Sequence, residues 1–303
     1  MITGSGPRRS PLRTEMETAV ANALAEDRAD DDVTTRWSVP DGLWSGAEII
    51  AKQPGTIAGT AVVAEVMTQV DPRIQLEQVV PDGGRPRAGA VIIRLEGPTR
   101  SLLTGERTAL NFLQRMSGVA SLTATYVQAV SDLPVRILDT RKIAPGLRAL
   151  DKYAVTAGGG LNHRLDLGAM VLLKENHLTA AGDVTAAIDA VRTAMAGEDK
   201  HLEIEVEVQD LVQAEEALRA AASRIMLDNF SLDDIRAAVQ LRRRLAAANT
   251  VLEASGNVTL AGVREIAATG VDLISVGALT HSAPALDITM LVSQNRPTPG
   301  RAA

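Results

Sequence analysis

Apolar positions recur at helical spacing at Met16, Val20, Ala23 and Leu24, which predicts a helix over residues 14–25. An acidic stretch, Glu26 to Asp32, separates it from a region of shorter period. There the β-type runs AEIIAK, TIAG, IQLEQVV and AVIIRLEG are punctuated by Pro54-Gly55, Asp82-Gly83-Gly84 and Gly97-Pro98. One helical run, TAVVAEVMTQ at 60–69, lies among them, so this part reads as an α+β unit. From Ser101 to Val130, Leu102, Leu103, Leu110, Leu113, Met116, Val119 and Val127 predict one or two long helices broken near Ser117-Gly118.

Past Val135 the pattern changes. Apolar strands VRILDT, AMVLLKE, LEIEVEV, RIMLDN, TVLEAS and DLISVG alternate with amphipathic stretches such as VTAAIDAVRTAM, LVQAEEALRA, LDDIRAAVQLRRRLA and AGVREIAATG. Such alternation predicts a parallel sheet covered on both faces. At least six units suit a closed or nearly closed α/β barrel better than a short open sheet. The strands end in Asp139, Lys174, Glu207, Asp228, Ser255 and Gly277. In β/α barrels the C-terminal strand ends form the active face, so one barrel mouth would gather these residues.

Composition narrows the function. The 303 residues are 46% hydrophobic but only 2% aromatic, so the core is aliphatic and aromatic stacking on single-stranded nucleic acid is disfavoured. A net charge of -6 makes the basic residues of the middle of the chain a local concentration, suited to a small anion and not to a nucleic-acid footprint. The absence of cysteine removes disulfides, thiolate catalysis and Cys-ligated zinc. MITGSGPRRSPLR lacks the apolar core of a signal peptide, and no apolar run approaches membrane-spanning length. A cytoplasmic protein is expected, with a solvated, disordered tail over residues 1–13.

The candidate chemistry centres on residues 139–177. Arg141, Lys142, His163, Arg164 and Lys174 supply cationic groups, and Gly158 to Gly160 clear side-chain bulk just before the His-Arg pair. Arg141 and Arg164 can fork carboxylates; Lys142 and Lys174 act as point charges. Glu207 and Asp228 end adjacent strands and could converge on a hard cation such as magnesium or on ribose hydroxyls, the alternative being a salt-bridged carboxylate inside the barrel. Glu203 and Glu205 alternate with Glu207 on the same strand; Glu207 is preferred because it sits nearest the strand end. Ser255-Gly256-Asn257 and Gly277-Ala278 follow the last two strands, where barrels commonly bind phosphate through backbone N–H groups. Arg107 lies on a helix outside the barrel, where an exposed charge is the ordinary reading.

In order along the chain, EDRADDDVTT, LLTGERTALNFLQRMSG, DTRK, PGLR, KYAV, GGGLNHR, VLLKENH, EVEV, IMLDN, LEASGN and GVDLISVGALTHS resemble the quinolinate phosphoribosyltransferase family, over nearly the whole chain apart from the tails. The resemblance implies an N-terminal α/β sandwich domain (14–130, with linking helices), a TIM-like α/β barrel, complete or incomplete (131–280), and a segment 281–303 that returns to the first domain before a tail. It also implies a head-to-tail homodimer, or a higher oligomer, with shared active sites. The implied reaction joins quinolinate to 5-phosphoribosyl 1-diphosphate with loss of diphosphate and carbon dioxide, giving nicotinate mononucleotide for NAD biosynthesis. By motif, Arg141, His163, Arg164 and Lys174 would hold the pyridine dicarboxylate, with Arg107 reaching in from the other subunit. Lys142 would lie near the donor, Glu207 and Asp228 would serve its ribose and Mg2+, and Ser255, Gly256 and Gly277 would take the 5-phosphate.

Some positions depart from the family pattern. Ile143 and Ala144 replace two threonines, Asp166 stands where glycine is expected and Ala169 where an acid is expected, and Glu175 replaces aspartate. These changes lie within the stretch 139–177 and leave open a related aryl acid as acceptor, as in a specialised or molybdenum-transport-associated paralogue. A non-catalytic barrel that binds a phosphorylated metabolite is the alternative from another class.

Overall fold

The structure is a computed structural model that describes residues 13–293; residues 1–12 and 294–303, which hold nearly all of the expected N-terminal tail and the end of the chain, lie outside the described part. Arg13, assigned to the tail on composition, opens the first helix, where its guanidinium pairs with Glu17 one turn on. The chain divides into two units: 13–124 with 143–159 and 279–293, and 125–142 with 160–278.

The first unit begins with α1 (Arg13–Glu26), a 3-10 turn and α2 (Val33–Ser38), followed by β1 (Trp44–Ala51), α3 (Thr60–Val70), β2 (Gln75–Gln78), β3 (Val91–Pro98) and α4 (Thr99–Ala129). β1 alternates buried and part-exposed residues, with Ser45, Ala47, Ile49 and Ala51 inward. That period of two marks a sheet with one covered face.

Two sequence expectations fail here for one reason. TIAG is not a strand: Thr56 and Ala58 donate their backbone N–H groups to the hydroxyls of Ser121 and Ser117 on α4, and Ile57 bonds across to the Gly83-Gly84 turn. Helix α4 is unbroken at Ser117-Gly118, because those residues serve its neighbours. A Cβ on Gly118 would fall 2.1 Å from the Pro284 carbonyl oxygen. α3 gains an unexpected cap, since the Asp82 carboxylate accepts from the N–H groups of Gly59 and Thr60 and from the Thr60 hydroxyl.

In the second unit, β4 (Arg136–Leu138) opens a run whose next helix, α5 (Arg148–Ala157), belongs to the first unit. This differs from a barrel running unbroken from 131 to 280. Asp151 of α5 takes a two-pronged bond from Arg115, and Tyr153 donates to Asp82, tying α5 to residues of the first unit. Then come β5 (Val171–Leu173), α6 (Glu175–Ala181), α7 (Val184–Gly197), β6 (Ile204–Val208), α8 (Leu211–Arg219), β7 (Arg224–Asp228), α9 (Leu232–Arg244), β8 (Val251–Ser255), α10 (Val263–Ala267) and β9 (Leu273–Ser275). The order β4-β9-β8-β7-β6-β5 is parallel throughout, and Leu161 extends it by a parallel bridge to Leu138. The N-cap side chains of Asp183, Asp210 and Ser231 start α7, α8 and α9. Those helices bury aliphatic stripes such as Ile235, Ala238 and Val239.

After the short α11 (Ala278–His281) the chain returns along α4. The Leu286 N–H donates to Gln114 O, and Gln114 Nε2 donates to Ile288 O. β10 (Ile288–Val292) then pairs antiparallel with β1, completing a sheet of order β10-β1-β3-β2. Among the described residues no helix is long and apolar enough to cross a membrane.

Gly118→Ala sets two effects against each other. Alanine favours the helix by about 1 kcal/mol, while overpacking against fixed backbone costs about 1–3 kcal/mol or more. At 2.1 Å the clash decides the sign. The urea midpoint of the variant should therefore fall; a rise would show that the returning segment yields freely.

Candidate active site

The register of the parallel sheet decides which side chains share the barrel interior. Glu205 pairs with Arg224, Glu207 with Met226, Met226 with Glu253, and Asp228 with Ser255. Paired residues in a parallel ladder point to the same face, so these acids, Arg224 and Ser255 occupy one side in successive layers. Asp228 and Ser255 end their strands and Glu207 stands one residue short of its end, so the three lie towards the C-terminal mouth. Arg224 opens β7 at the opposite end.

At the mouth, the Lys174 ammonium pairs with Glu207 Oε2 from the adjacent strand. Asp228 accepts from the Asn229 side-chain amide at 2.9 Å. Asn229 also receives the Asn257 amide at 3.0 Å and donates its backbone N–H to Ser255 O, joining the loops after β7 and β8. Asn229, Gly256 and Asn257 all have positive φ, at 56°, 95° and 48°. A Cβ on Gly256 would lie 2.2 Å from Asn229 Oδ1, so only glycine lets these loops approach. Helix α10 begins only at Val263 and is one turn long, which leaves the loop backbone, not a helix end, at this strand terminus.

Arg141 and Arg164 form the cationic part of the rim. Each has a buried Nε without a hydrogen-bond partner. Arg164 donates from Nη1 to Met170 O at 3.1 Å; burial first, and then the nearby Arg141 charge, push its pKa down. Two partly buried guanidiniums that repel each other, with donors unused, make a site that favours an anion. Lys142 is exposed, and its backbone N–H donates to the Thr140 hydroxyl. Gly277 is half-buried just past β9. Arg107 is exposed on α4, in the first unit. Among the substituted positions, Asp166 is exposed and its carboxylate accepts from the Gly168 N–H at 2.8 Å, closing a turn.

His163 stands apart from the other basic residues. It is buried: its backbone N–H donates to Asp139 Oδ1 at 2.8 Å and its Nδ1 accepts from the Arg164 backbone N–H at 2.7 Å. Its Nε2 faces inward, 3.0 Å from Glu205 Oε2 and 3.8 Å from Glu253 Oε1. Glu253 Oε2 meets Arg224 Nη1 at 3.2 Å, and Arg224 reaches Glu203 at 3.6 Å. Burial pushes both carboxyls up, to about 7; for Glu253 the Glu205 charge pushes further the same way. The sequence drew attention to Glu207 and left Glu205, Arg224 and Glu253 unassigned. The available signal was the Glu203, Glu205, Glu207 alternation, which places all three on one strand face.

A parallel barrel with acids at its strand ends and a paired-arginine rim is the architecture of an α/β-barrel enzyme that handles anionic substrates. The profile for "Quinolinate phosphoribosyl transferase, C-terminal domain" matches residues 119–291, and that for the N-terminal domain matches residues 32–117. The chain belongs to the quinolinate phosphoribosyltransferase family. It is 43% identical over 272 residues to the nicotinate-nucleotide pyrophosphorylase [carboxylating] of Mycobacterium leprae, covering 89% of this chain and 94% of that protein. It is 38% identical over 290 residues to quinolinate phosphoribosyltransferase [decarboxylating] 1b of Nicotiana tabacum, covering 92% and 82%. The solved structure of the nicotinate-nucleotide pyrophosphorylase from Francisella tularensis superposes with a TM-score of 0.89 at 37% identity, covering 96% of this chain and all of that one.

The raised pKa of Glu253 has a signed consequence. Between the usual carboxylate value of 4.5 and about 7 the folded protein keeps a proton that the unfolded chain releases, so this group's contribution to stability is lost as pH rises through that window. Urea midpoints at pH 5, 6 and 7 should therefore decline less in Glu253→Gln than in the wild type. Parallel slopes would show that Glu253 is ionised throughout.

Proposed function

We propose that this chain transfers the phosphoribosyl group of 5-phosphoribosyl 1-diphosphate to the ring nitrogen of quinolinate, with decarboxylation to nicotinate mononucleotide. The observation that carries the reading is the pair of buried, unused guanidinium Nε groups on Arg141 and Arg164, at the same C-terminal barrel end as the carboxylates of Glu207 and Asp228. A dicarboxylate satisfies both arginines at once. Lys174 sits between the two halves of the site, since it pairs with Glu207 and is exposed enough to reach an acceptor carboxylate.

On this reading the chain does no covalent chemistry. Arg141, Arg164 and Lys174 orient the acceptor so that its nitrogen lies in line with C1 of the donor, and Lys142 attends the donor. The backbone around Ser255, Gly256 and Gly277 takes the 5-phosphate, with Gly256 letting the loops after β7 and β8 approach. Glu207 and Asp228 fit a hard divalent cation: two half-buried carboxylates on adjacent strands, on one face and near the strand ends, with the amide of Asn229 fixing one of them. A magnesium ion held by Glu207 and Asp228 would supply positive charge to the diphosphate leaving group. Once the C–N bond has formed, the carboxylate leaves as carbon dioxide, its bonding pair passing to the ring carbon next to the positively charged nitrogen, and that carbon then takes a proton from water.

Purified protein given quinolinate and the donor should release diphosphate, lose activity to a chelator and regain it with Mg2+. Arg164→Met should raise the quinolinate KM tenfold to about a hundredfold, the loss of charge-assisted bonds, with little change for the donor. Turnover of another pyridine acid with none of quinolinate would overturn the assignment of the acceptor.

The assembly is part of the same proposal. A homodimer would bring Arg107 of the partner subunit to each acceptor site, consistent with its exposure on α4. Mixing inactive Arg107→Ala with inactive Asp228→Ala and allowing subunits to exchange should then restore activity, to about a quarter of the wild-type sites for random pairing. No recovery on verified exchange would place Arg107 outside the partner's site.

A further inference from the structure

The loop that carries Arg164 also carries a fixed negative charge. Two bonds close residues 164–170. Arg164 Nη1 donates to Met170 O at 3.1 Å, spanning the loop, and the Gly168 N–H donates to Asp166 Oδ1 at 2.8 Å, making a side-chain turn within it. That turn holds the Asp166 carboxylate two residues from Arg164 and in solvent, between Leu165 and Leu167, which are 41% and 71% exposed. Its charge is felt at the guanidinium. Glu205 from the barrel interior and Asp166 from the loop push the arginine's pKa up, against burial and the Arg141 charge, which push it down. The sequence departs from the family pattern at this position, and the mechanism above gives the residue no part.

We propose that Asp166 is a specificity-determining residue that tunes the rim by acceptor charge, weakening the hold on a dicarboxylate more than the hold on a monocarboxylate. The inference deepens the proposed function and rests on it for the identity of the acceptor. A fixed charge acts on a bound anion in proportion to the anion's own charge, so a dianion loses twice the free energy that a monoanion loses. The carboxylate acts through space. Its Oδ1 is committed to a backbone N–H, while Arg164 Nε has no hydrogen-bond partner among the described residues, so the arginine keeps a donor for the ligand while its net pull is reduced. Because Asp166 is exposed, water and salt screen the effect, which is modest and depends on ionic strength. It falls on binding of the acceptor and not on bond making, so it belongs to KM and not to kcat. A residue that only formed the turn would show none of this dependence on charge.

Asp166→Asn separates the charge from the turn, because the asparagine side-chain oxygen accepts the same Gly168 N–H. Calorimetry with benzene-1,2-dicarboxylate, and with benzoate by displacement of it, reads the charge dependence without turnover. At about 0.02 M salt the variant should bind the dicarboxylate about fivefold more tightly and benzoate about twofold more tightly, and both gains should vanish towards about 0.5 M salt. In the assay the quinolinate KM should fall about fivefold at the same low salt, with kcat unchanged. Equal gains for the two ligands, a gain that salt does not remove, or a dicarboxylate affinity that does not rise would overturn the proposal and leave Asp166 as a turn former alone. The two readings fail separately. If quinolinate is not turned over but dicarboxylate binding responds to Asp166→Asn as expected, the proposed reaction fails and the role of Asp166 stands. If quinolinate is turned over with a KM that the variant leaves unchanged, the reverse holds. Binding of the dicarboxylate to neither protein would overturn both.

Discussion

Two carboxyl groups buried near the middle of a parallel barrel are the constraint around which the catalytic unit is arranged. Glu205 and Glu253 are fully buried, and such groups cost several kcal/mol each if ionised without compensation. Part of the compensation comes from neighbouring strands and from the loop before β5: Arg224 bonds Glu253, and His163 Nε2 lies 3.0 Å from Glu205 Oε2, while both Glu205 oxygens and Glu253 Oε1 lack a hydrogen-bond partner among the described residues. Where β/α barrels ordinarily fill this space with branched aliphatic side chains, this one places charged side chains there, from Glu203 and Arg224 at one end to Lys174 and Glu207 at the other. An arrangement of that kind tolerates little misplacement, because each group removed strands another.

The rim inherits its geometry from that interior. His163 follows the short bridge of Leu161 to β4, and Asp139 at the end of β4 fixes its backbone. Arg164 is thus held on both sides, by the His163 ring at its N–H and by Met170 O at its guanidinium. The opposite side of the mouth is fixed by different means. There Asn229, Gly256 and Asn257 hold left-handed backbone conformations, and side-chain amides tie two loops together where regular structure has ended. Rigid loops at strand ends suit a reaction in which alignment of two bound substrates supplies much of the rate.

The first unit shows how polar side chains can replace regular pairing. The buried segment from Thr56 to Ala58 has β-type composition, yet its backbone is satisfied by serine hydroxyls of α4 and by a glycine turn. Ser117 and Gly118 look like helix breakers by propensity. In place they are the two residues that let other chain segments lie against an unbroken helix, one through a hydroxyl and the other through the lack of a side chain.

Periodicity alone determined much of this protein. The alternation of aliphatic strands with amphipathic helices defined a parallel α/β unit, and the polar residues ending those strands marked Lys174, Glu207, Asp228 and Ser255 as neighbours at one mouth. Such signals are local, since strand period and helix period are properties of short windows. What only the tertiary structure decided depends on register and on distant partners. The strand alignment put Glu205 and Glu253 within reach of one histidine, and the loop geometry turned His163 inward while its sequence neighbour Arg164 faces the rim. In the sequence the two are adjacent basic residues. Their different roles arise because one ring lies between buried acids and the other side chain lies at the edge of the barrel mouth.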